Sequence, residues 1–214
     1  TVTVTATNIG GTSQASSQSA SLNPGSRFNS ATCTGCTTVD VPDYKGTGET
    51  WRVHTFTRAS TAGVSASLDV TGSYGVFPFE TLTIGGGSGA VYWGLGIRGQ
   101  GGEHIRQSRL DLPQAPISVT VGIGGTGGVD EFGATQNATR GTPSVFGDVT
   151  ARNDYQSLPL FSDITGTVLK YSGNGSHLST SLYGAGGSGG GGGGWGESNT
   201  YGQNGVVIVA YQIG

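Results

Sequence analysis

The sequence GAGGSGGGGGGWGESNTYGQNGVVIVAYQIG, residues 184–214, decides the fold, because it joins a dense glycine tract to a strongly apolar run. Glycine loses more backbone entropy on folding than any other residue, so the tract is either a flexible connector or a segment that needs residues without a Cβ. The β-branched run that begins at Val206 predicts a buried strand. A folded element therefore follows the glycines.

Composition restricts the class of protein. The chain has 42 glycines among 214 residues, and only 11% of its residues are charged, compared with about a quarter in an average domain. This style is typical of extracellular or virion proteins. The net charge of −3 and the absence of Lys/Arg clusters argue against nucleic-acid binding. No apolar stretch approaches the roughly 18 residues that span a bilayer, so we expect no membrane insertion.

Short strand-like runs separated by glycine turns predict an all-β fold. No window has a sustained helical period, and residues 100–112 are the least unlikely helix. The predicted strands cover residues 50–58, 64–70, 81–84, 91–93, 117–121, 145–149, 167–171 and 206–213.

The N-terminal region differs in style from the rest. Residues 1–6 alternate Thr and Val, and TVTVTATNIGGTSQASSQS resembles the last strand of a fibronectin type III module. The chain begins within this pattern, which indicates a fragment of a longer polypeptide. We therefore expect three parts: the edge of a fibronectin-like module at residues 1–20, a linker at 21–48 and a glycine-rich β domain at 49–214.

Four segments in order resemble the glycine-rich domain of bacteriophage tail proteins. They are PISVTVGIGGTGG at residues 116–128, GTPSVFGDVTARN at 141–153, the long glycine tract, and NGVVIVAYQ at 204–212. The resemblance implies a glycine-rich β-sandwich or fibre-like domain in a phage tail or tail fibre. It covers roughly residues 50–214, and the polar insertions at 94–112 and 153–180 depart from the family.

Polyglycine can form extended helices with three residues per turn, which pack side by side and hydrogen-bond through their backbones. We hypothesise that such bonds, made between chains, order the glycine tracts. The alternative is a flexible connector before the last strand.

Two motifs match enzyme patterns but lack the required context. Residues 122–127 fit G-x-G-x-x-G without the helix that dinucleotide binding needs, and residues 186–190 fit G-x-S-x-G only because they are nearly all glycine. Thirteen acidic residues show no pairing motif for a carbohydrate-degrading enzyme. We therefore expect no enzyme activity, no cofactor and no catalytic residue.

Cys33 and Cys36 form a single C-x-x-C pair with no second pair and no histidine nearby in sequence. A local disulfide and two free thiols both fit this pattern, and zinc shared across an oligomer is a third alternative. We expect no metal site within one chain. The histidines, His54, His104 and His177, together with Glu103 and the pair Asp130 and Glu131, are expected to be exposed polar residues.

Aromatic residues beside glycine turns either seal the core or stack on a sugar. As a possible binding surface we name Tyr92, Trp93, Tyr155, Tyr183, Trp195 and Tyr201.

These observations predict a non-catalytic, structural or adhesive virion component of a phage tail or fibre. Its expected partners are itself, as a homotrimer, other tail proteins, and a glycan or protein of the host cell surface. The alternatives are a purely architectural assembly protein and a glycine-rich bacterial surface adhesin.

Overall fold

The computed structural model describes residues 7–8, 11–12, 30–71, 79–92, 99–109, 115–131, 134–135, 138–153, 158–174, 181, 183–185 and 201–213. These residues contain one 3-10 helix, Tyr44–Gly46, and seventeen strands, so the predicted all-β fold is confirmed. The strands are β1 (Thr7–Asn8), β2 (Gly11–Thr12), β3 (Ser30–Thr34), β4 (Thr37–Val41), β5 (Trp51–Thr57), β6 (Ser67–Thr71), β7 (Phe79–Ile84), β8 (Val91–Tyr92), β9 (His104–Arg109), β10 (Ile117–Thr120), β11 (Gly128–Glu131), β12 (Ala134–Thr135), β13 (Ser144–Phe146), β14 (Val149–Ala151), β15 (Pro159–Ser162), β16 (Leu169–Ser172) and β17 (Val206–Gln212).

Two five-stranded antiparallel sheets form the body of the fold. Sheet A has the strand order β14-β13-β10-β6-β3, and sheet B has the order β4-β5-β17-β7-β9. Three smaller ladders accompany them: the outer sheet β12-β11-β8, in which β11 and β8 are parallel, the side hairpin β15-β16, and the pair β1-β2.

The fold has two apolar cores, one on each face of sheet B. The first core lies between the sheets and combines Leu68 of sheet A with Phe56 and Val207 of sheet B. The second core lies on the opposite face, where Tyr44 of the 3-10 helix and Tyr171 of the side hairpin pack against sheet B. Sheet B is therefore the middle layer of three.

Strand β17 occupies the centre of sheet B and pairs along its length with β5 and β7. Val207 and Val209 belong to the first core, whereas Val206 and Ile208 belong to the second. Because both faces are buried, the strand has a continuous apolar run instead of an alternating pattern. This arrangement confirms the predicted buried strand at the C-terminal end.

The described part of the predicted linker at residues 21–48, residues 30–48, contains strands β3 and β4. β3 pairs with β6 in sheet A, and β4 pairs with β5 in sheet B. Both strands are edge strands, and β4 is exposed along most of its length. The burial of β4 is not periodic. In β3, buried Ala31 and half-buried Cys33 alternate with exposed Thr32 and Thr34, but the inward residues are too small to give a clear apolar pattern in sequence.

Two predictions are corrected. Residues 100–112, the least unlikely helix, contain the edge strand β9, which pairs with β7. The single strand predicted at residues 145–149 is instead the hairpin of β13 and β14, which turns at Gly147 with φ of 56°. The strand predicted at residues 1–6 lies outside the described residues.

Candidate functional site

Segments without regular strand pairing, most of them rich in glycine, extend strands of both sheets beyond their ends. Segment 85–90 follows β7, 99–103 precedes β9, 122–127 follows β10, 138–143 precedes β13, and 201–205 precedes β17. Together with residues 184–185, we call these segments the glycine bundle.

The central segment, residues 85–90, has hydrogen bonds that repeat every three residues. Successive amides donate to three different neighbouring segments, and amides three residues apart donate to the same segment. A three-residue repeat is the geometry of an extended helix with three residues per turn. The bonds run from Gly85 to Glu103 (3.0 Å), Gly86 to Thr142 (3.0 Å), Gly87 to Gln203 (2.9 Å), Ser88 to Gln100 (2.9 Å) and Gly89 to Thr139 (3.0 Å).

Close approach between backbones explains why the bundle needs glycine. A Cβ on Gly87 would overlap the carbonyl of Ala185, and a Cβ on Gly202 would overlap the carbonyl of Gly87. Neither glycine has a positive φ, so glycine is required at these positions by the lack of space for a Cβ and not by the backbone conformation. The hydrogen bonds offset part of the entropy lost when these residues become ordered.

Within the described bundle, the backbone amides that are hydrogen-bonded donate to groups of the same chain. The expected hydrogen bonds between chains stay a prediction. Residues 186–196, the densest part of the last tract, lie outside the described residues. The G-x-G-x-x-G motif at residues 122–127 lies in the bundle and leads into β11 instead of a helix.

The segments of the bundle run in two opposite directions. Segments 99–103 and 138–143 are antiparallel to 85–90, and 201–205 is antiparallel to 122–127. Segments 85–90, 122–127 and 184–185 therefore run away from sheets A and B, and segments 99–103, 138–143 and 201–205 run back towards them. At the end remote from these sheets, the outer end, β8 and β11 continue their segments into the outer sheet.

The candidate aromatic residues have different surroundings. Tyr92 lies on β8 at the outer end, and Tyr201 is exposed where the chain re-enters the bundle. Tyr183 is half-buried against the second core and stacks on Tyr171 with 6.5 Å between ring centroids, so it seals the core. The side chain of Tyr92 and the whole of Trp93, Tyr155 and Trp195 lie outside the described residues.

A second constellation forms where β3 passes from sheet A to β4 in sheet B. Cys33 and Cys36 are bonded as a disulfide across this turn. The register of β4 with β5 places His54 opposite Thr38, which brings His54 Nδ1 to 3.7 Å from Cys36 Sγ. Sequence analysis found no histidine near the cysteines, because the pairing of β4 with β5 was not predicted.

The hydrogen bonds around His54 define its tautomer. Tyr211 donates its hydroxyl hydrogen to the Ala31 carbonyl (3.2 Å) and accepts from the Ala31 amide (2.9 Å). With the Tyr211 hydrogen assigned to the Ala31 carbonyl, the Tyr211 oxygen accepts from His54 Nε2, which lies 3.2 Å away. Burial and the charge of Arg52 lower the pKa of His54 to about 4. The neutral ring directs the lone pair of Nδ1 towards Thr38 and Cys36.

The other candidate polar residues do not join this constellation. Burial lowers the pKa of His104, which lies on β9, and Glu103 accepts a hydrogen bond from the Arg152 amide (2.9 Å). The side chains of Asp130 and Glu131, like His177, are not among those described. Among the described side chains, the one group of three potential metal ligands is Cys33, Cys36 and His54.

A scan against protein-family models finds no family that matches this chain, and a search of curated proteins finds no matching relative. The resemblance to phage tail domains therefore stays a prediction. Within the described ranges, no helix has the length and apolar character needed to cross a membrane.

Proposed function

We propose that this chain is a non-catalytic structural and adhesive module of a bacteriophage tail or tail fibre, and that the outer end of its glycine bundle contacts the host cell surface. The observation that supports the proposal is that three segments of a hydrogen-bonded scaffold run out from the sheets and three run back towards them. Binding residues are commonly presented on connecting segments that a rigid scaffold positions.

Aromatic residues concentrate in two of these connections. Residues 91–98 include Tyr92 and Trp93, and residues 186–201 include Trp195 and Tyr201. Flat rings with a polar edge bind well at surfaces that are partly wet, including the faces of sugar rings. A glycan or a glycan-bearing protein of the bacterial surface is the partner class that this chemistry favours.

An assembly role is the second candidate, and the side hairpin favours it. Leu158, Phe161 and Val168 are 70%, 63% and 69% exposed. Apolar side chains grouped on one hairpin are typical of a surface that another protein covers. In this role the hairpin binds a neighbouring tail protein or another copy of the chain, which is how the predicted homotrimer would assemble.

Binding of the fluorescently labelled chain to a panel of bacterial strains and to a glycan array tests the two roles. If the outer end is adhesive, Trp93→Ala and Tyr201→Ala reduce binding at least about tenfold, as expected when an aromatic anchor is lost. The matched variant Phe161→Ser on the side hairpin retains binding. Loss of binding with Phe161→Ser alone would reject the outer end as the adhesive surface.

A further inference from the structure

We propose that Cys33, Cys36 and His54 form a redox-gated site for one thiophilic divalent cation of the Zn²⁺ class. The site is closed while the two cysteines form a disulfide and opens when that bond is reduced. This inference does not depend on the adhesive role of the outer end.

The donor atoms already converge. The two sulfurs and a ring nitrogen of His54 all lie within 4.8 Å of one another. Thiolate sulfur and imidazole nitrogen are the ligands that Zn²⁺ prefers in proteins. The convergence comes from two separate strand pairings, because β3 belongs to sheet A whereas β4 and β5 belong to sheet B.

The Thr38 hydroxyl marks the space between the donors. Its oxygen lies 2.8 Å from His54 Nδ1, 3.6 Å from Cys33 Sγ and 3.5 Å from Cys36 Sγ. A cation bound by all three ligands would take this central position, and rotation of the Thr38 side chain would vacate it. A tetrahedral ion would then keep one coordination position for water.

The second shell prepares His54 as a ligand. Metal-bound histidines commonly donate their other ring N–H to a fixed acceptor, which sets the tautomer and the ring orientation. Tyr211 is that acceptor here, at 3.2 Å from Nε2, and the two Ala31 backbone bonds hold its hydroxyl in place. In this tautomer the lone pair of Nδ1 lies on the side of Thr38 and Cys36, so the histidine ring keeps its place in the core once the Thr38 hydroxyl has rotated away.

The chemistry balances with a dithiol as reductant. The dithiol gives two electrons and two protons to the Cys33–Cys36 bond, which becomes two thiols, and the dithiol closes into its own disulfide. The cation then displaces both thiol protons and forms two metal–sulfur bonds and one metal–nitrogen bond. Two thiolates neutralise a divalent cation, so the loaded site has no net charge. The cost of placing a net charge beside the buried imidazole is therefore avoided.

Cobalt titration of the intact chain tests the proposal, because Co²⁺ reports its ligands by absorption. The reduced chain, kept anaerobic, is expected to bind one Co²⁺ with thiolate-to-cobalt charge-transfer bands, and Zn²⁺ should displace it. The oxidised chain should give no such bands. Failure of the reduced chain to give a stoichiometric thiolate spectrum would overturn the proposal.

Matched histidine variants identify the nitrogen ligand. His54→Gln keeps a donor near Tyr211 but lacks Nδ1, so its apparent Kd for Co²⁺ should rise at least about tenfold. His104→Gln changes a half-buried histidine at the opposite edge of sheet B and should bind like the native chain. Equal affinity of His54→Gln and the native chain would exclude His54.

A measurement on the native chain covers the case in which His54→Gln does not fold. X-ray absorption at the zinc edge of the Zn²⁺-loaded, reduced chain should give two sulfur ligands and one imidazole. Two sulfurs without an imidazole would contradict the proposal.

Discussion

At the scale of single residues, the missing Cβ of glycine is what lets the bundle form. Gly87 donates to the Gln203 carbonyl (2.9 Å) and accepts from the Gly125 amide (2.8 Å), so its backbone is bonded on two sides. A methyl group at this position has no direction in which to move, because the atoms it meets belong to the backbone of Ala185.

Gly87→Ala is therefore expected to reduce the free energy of unfolding by about 3 kcal/mol or more, since overpacking against backbone cannot relax by a rotamer change. Urea denaturation measures the loss. Ser88→Ala, at the next position, is the control. Ser88 already has a Cβ, and its buried hydroxyl has no hydrogen-bond partner among the described residues. Equal stability of the two variants would show that the backbones can separate.

Tyr211 illustrates a different effect, the satisfaction of buried polar groups. Tyr211→Phe leaves the backbone of Ala31 and Nε2 of His54 without their partner, which we expect to cost about 1–3 kcal/mol in urea denaturation. Tyr171→Phe is the comparison variant, because the buried Tyr171 hydroxyl forms no well-aligned hydrogen bond with a described group. Burial raises the pKa of this hydroxyl, although the Thr165 side chain is near enough to lower that pKa in part. A similar loss in both variants would mean that ring packing, and not hydrogen bonding, determines the effect.

At the scale of the elements, β17 joins the two cores. Ile208→Ala removes buried side-chain volume from the second core and should lower the free energy of unfolding by about 2–5 kcal/mol. Val39→Ala on the exposed edge strand β4 should change it by less than about 0.5 kcal/mol. Thermal and urea denaturation both check the contrast, and a small effect at Ile208 would argue against burial of both faces of β17.

An ion-pair group fastens the 3-10 helix and the end of the side hairpin to sheet B. Lys45 and Arg106 each contact both Glu80 and Asp163, at 2.7–3.3 Å. Burial raises the pKa of Asp163, but the hydrogen bond and charge of Lys45, with the charge of Arg106, outweigh it and hold that pKa below its usual value.

The lowered pKa of Asp163 predicts how stability depends on pH. The stabilisation is present above the unfolded pKa of about 3.9 and is lost as the pH falls through the lower folded value. Asp163→Asn should cost at most about 1 kcal/mol near neutral pH, because the group is partly exposed, and should flatten the profile below about pH 4. Denaturation across pH measures both, and high salt should reduce the difference. An unchanged profile in Asp163→Asn would exclude this carboxylate as the cause.

At the scale of the whole molecule, five consecutive amides of the central bundle segment, Gly85 to Gly89, donate to carbonyls of the same chain. The homotrimer stays a prediction, and the side hairpin, with exposed Leu158, Phe161 and Val168, is the surface we propose for it. We expect hydrogen exchange at the Gly87 amide to be slow even when light scattering shows that the protein is monomeric. The same slow exchange is expected in the Phe161→Ser variant, which weakens the proposed assembly surface. Exchange that accelerates as the mass falls would mean that neighbouring chains order the bundle.

The all-β class and the buried C-terminal strand could be predicted from the sequence, whereas the glycine tracts left two alternatives open, a flexible connector or a segment that needs residues without a Cβ. These predictions rest on local properties, since β-branched runs and glycine content restrict a segment wherever it lies. The edge strands β3, β4 and β9 were missed, because their stability comes from ladders with distant strands and not from their own side-chain pattern.

Only the tertiary structure decided which groups meet. In the structure the glycine amides donate to carbonyls of the same chain. His54 lies beside a cysteine pair that has no histidine near it in the sequence. The physical reason is that register and backbone approach depend on which strands pair across the chain. Many pairings satisfy the same local pattern, and the observed arrangement buries both faces of β17.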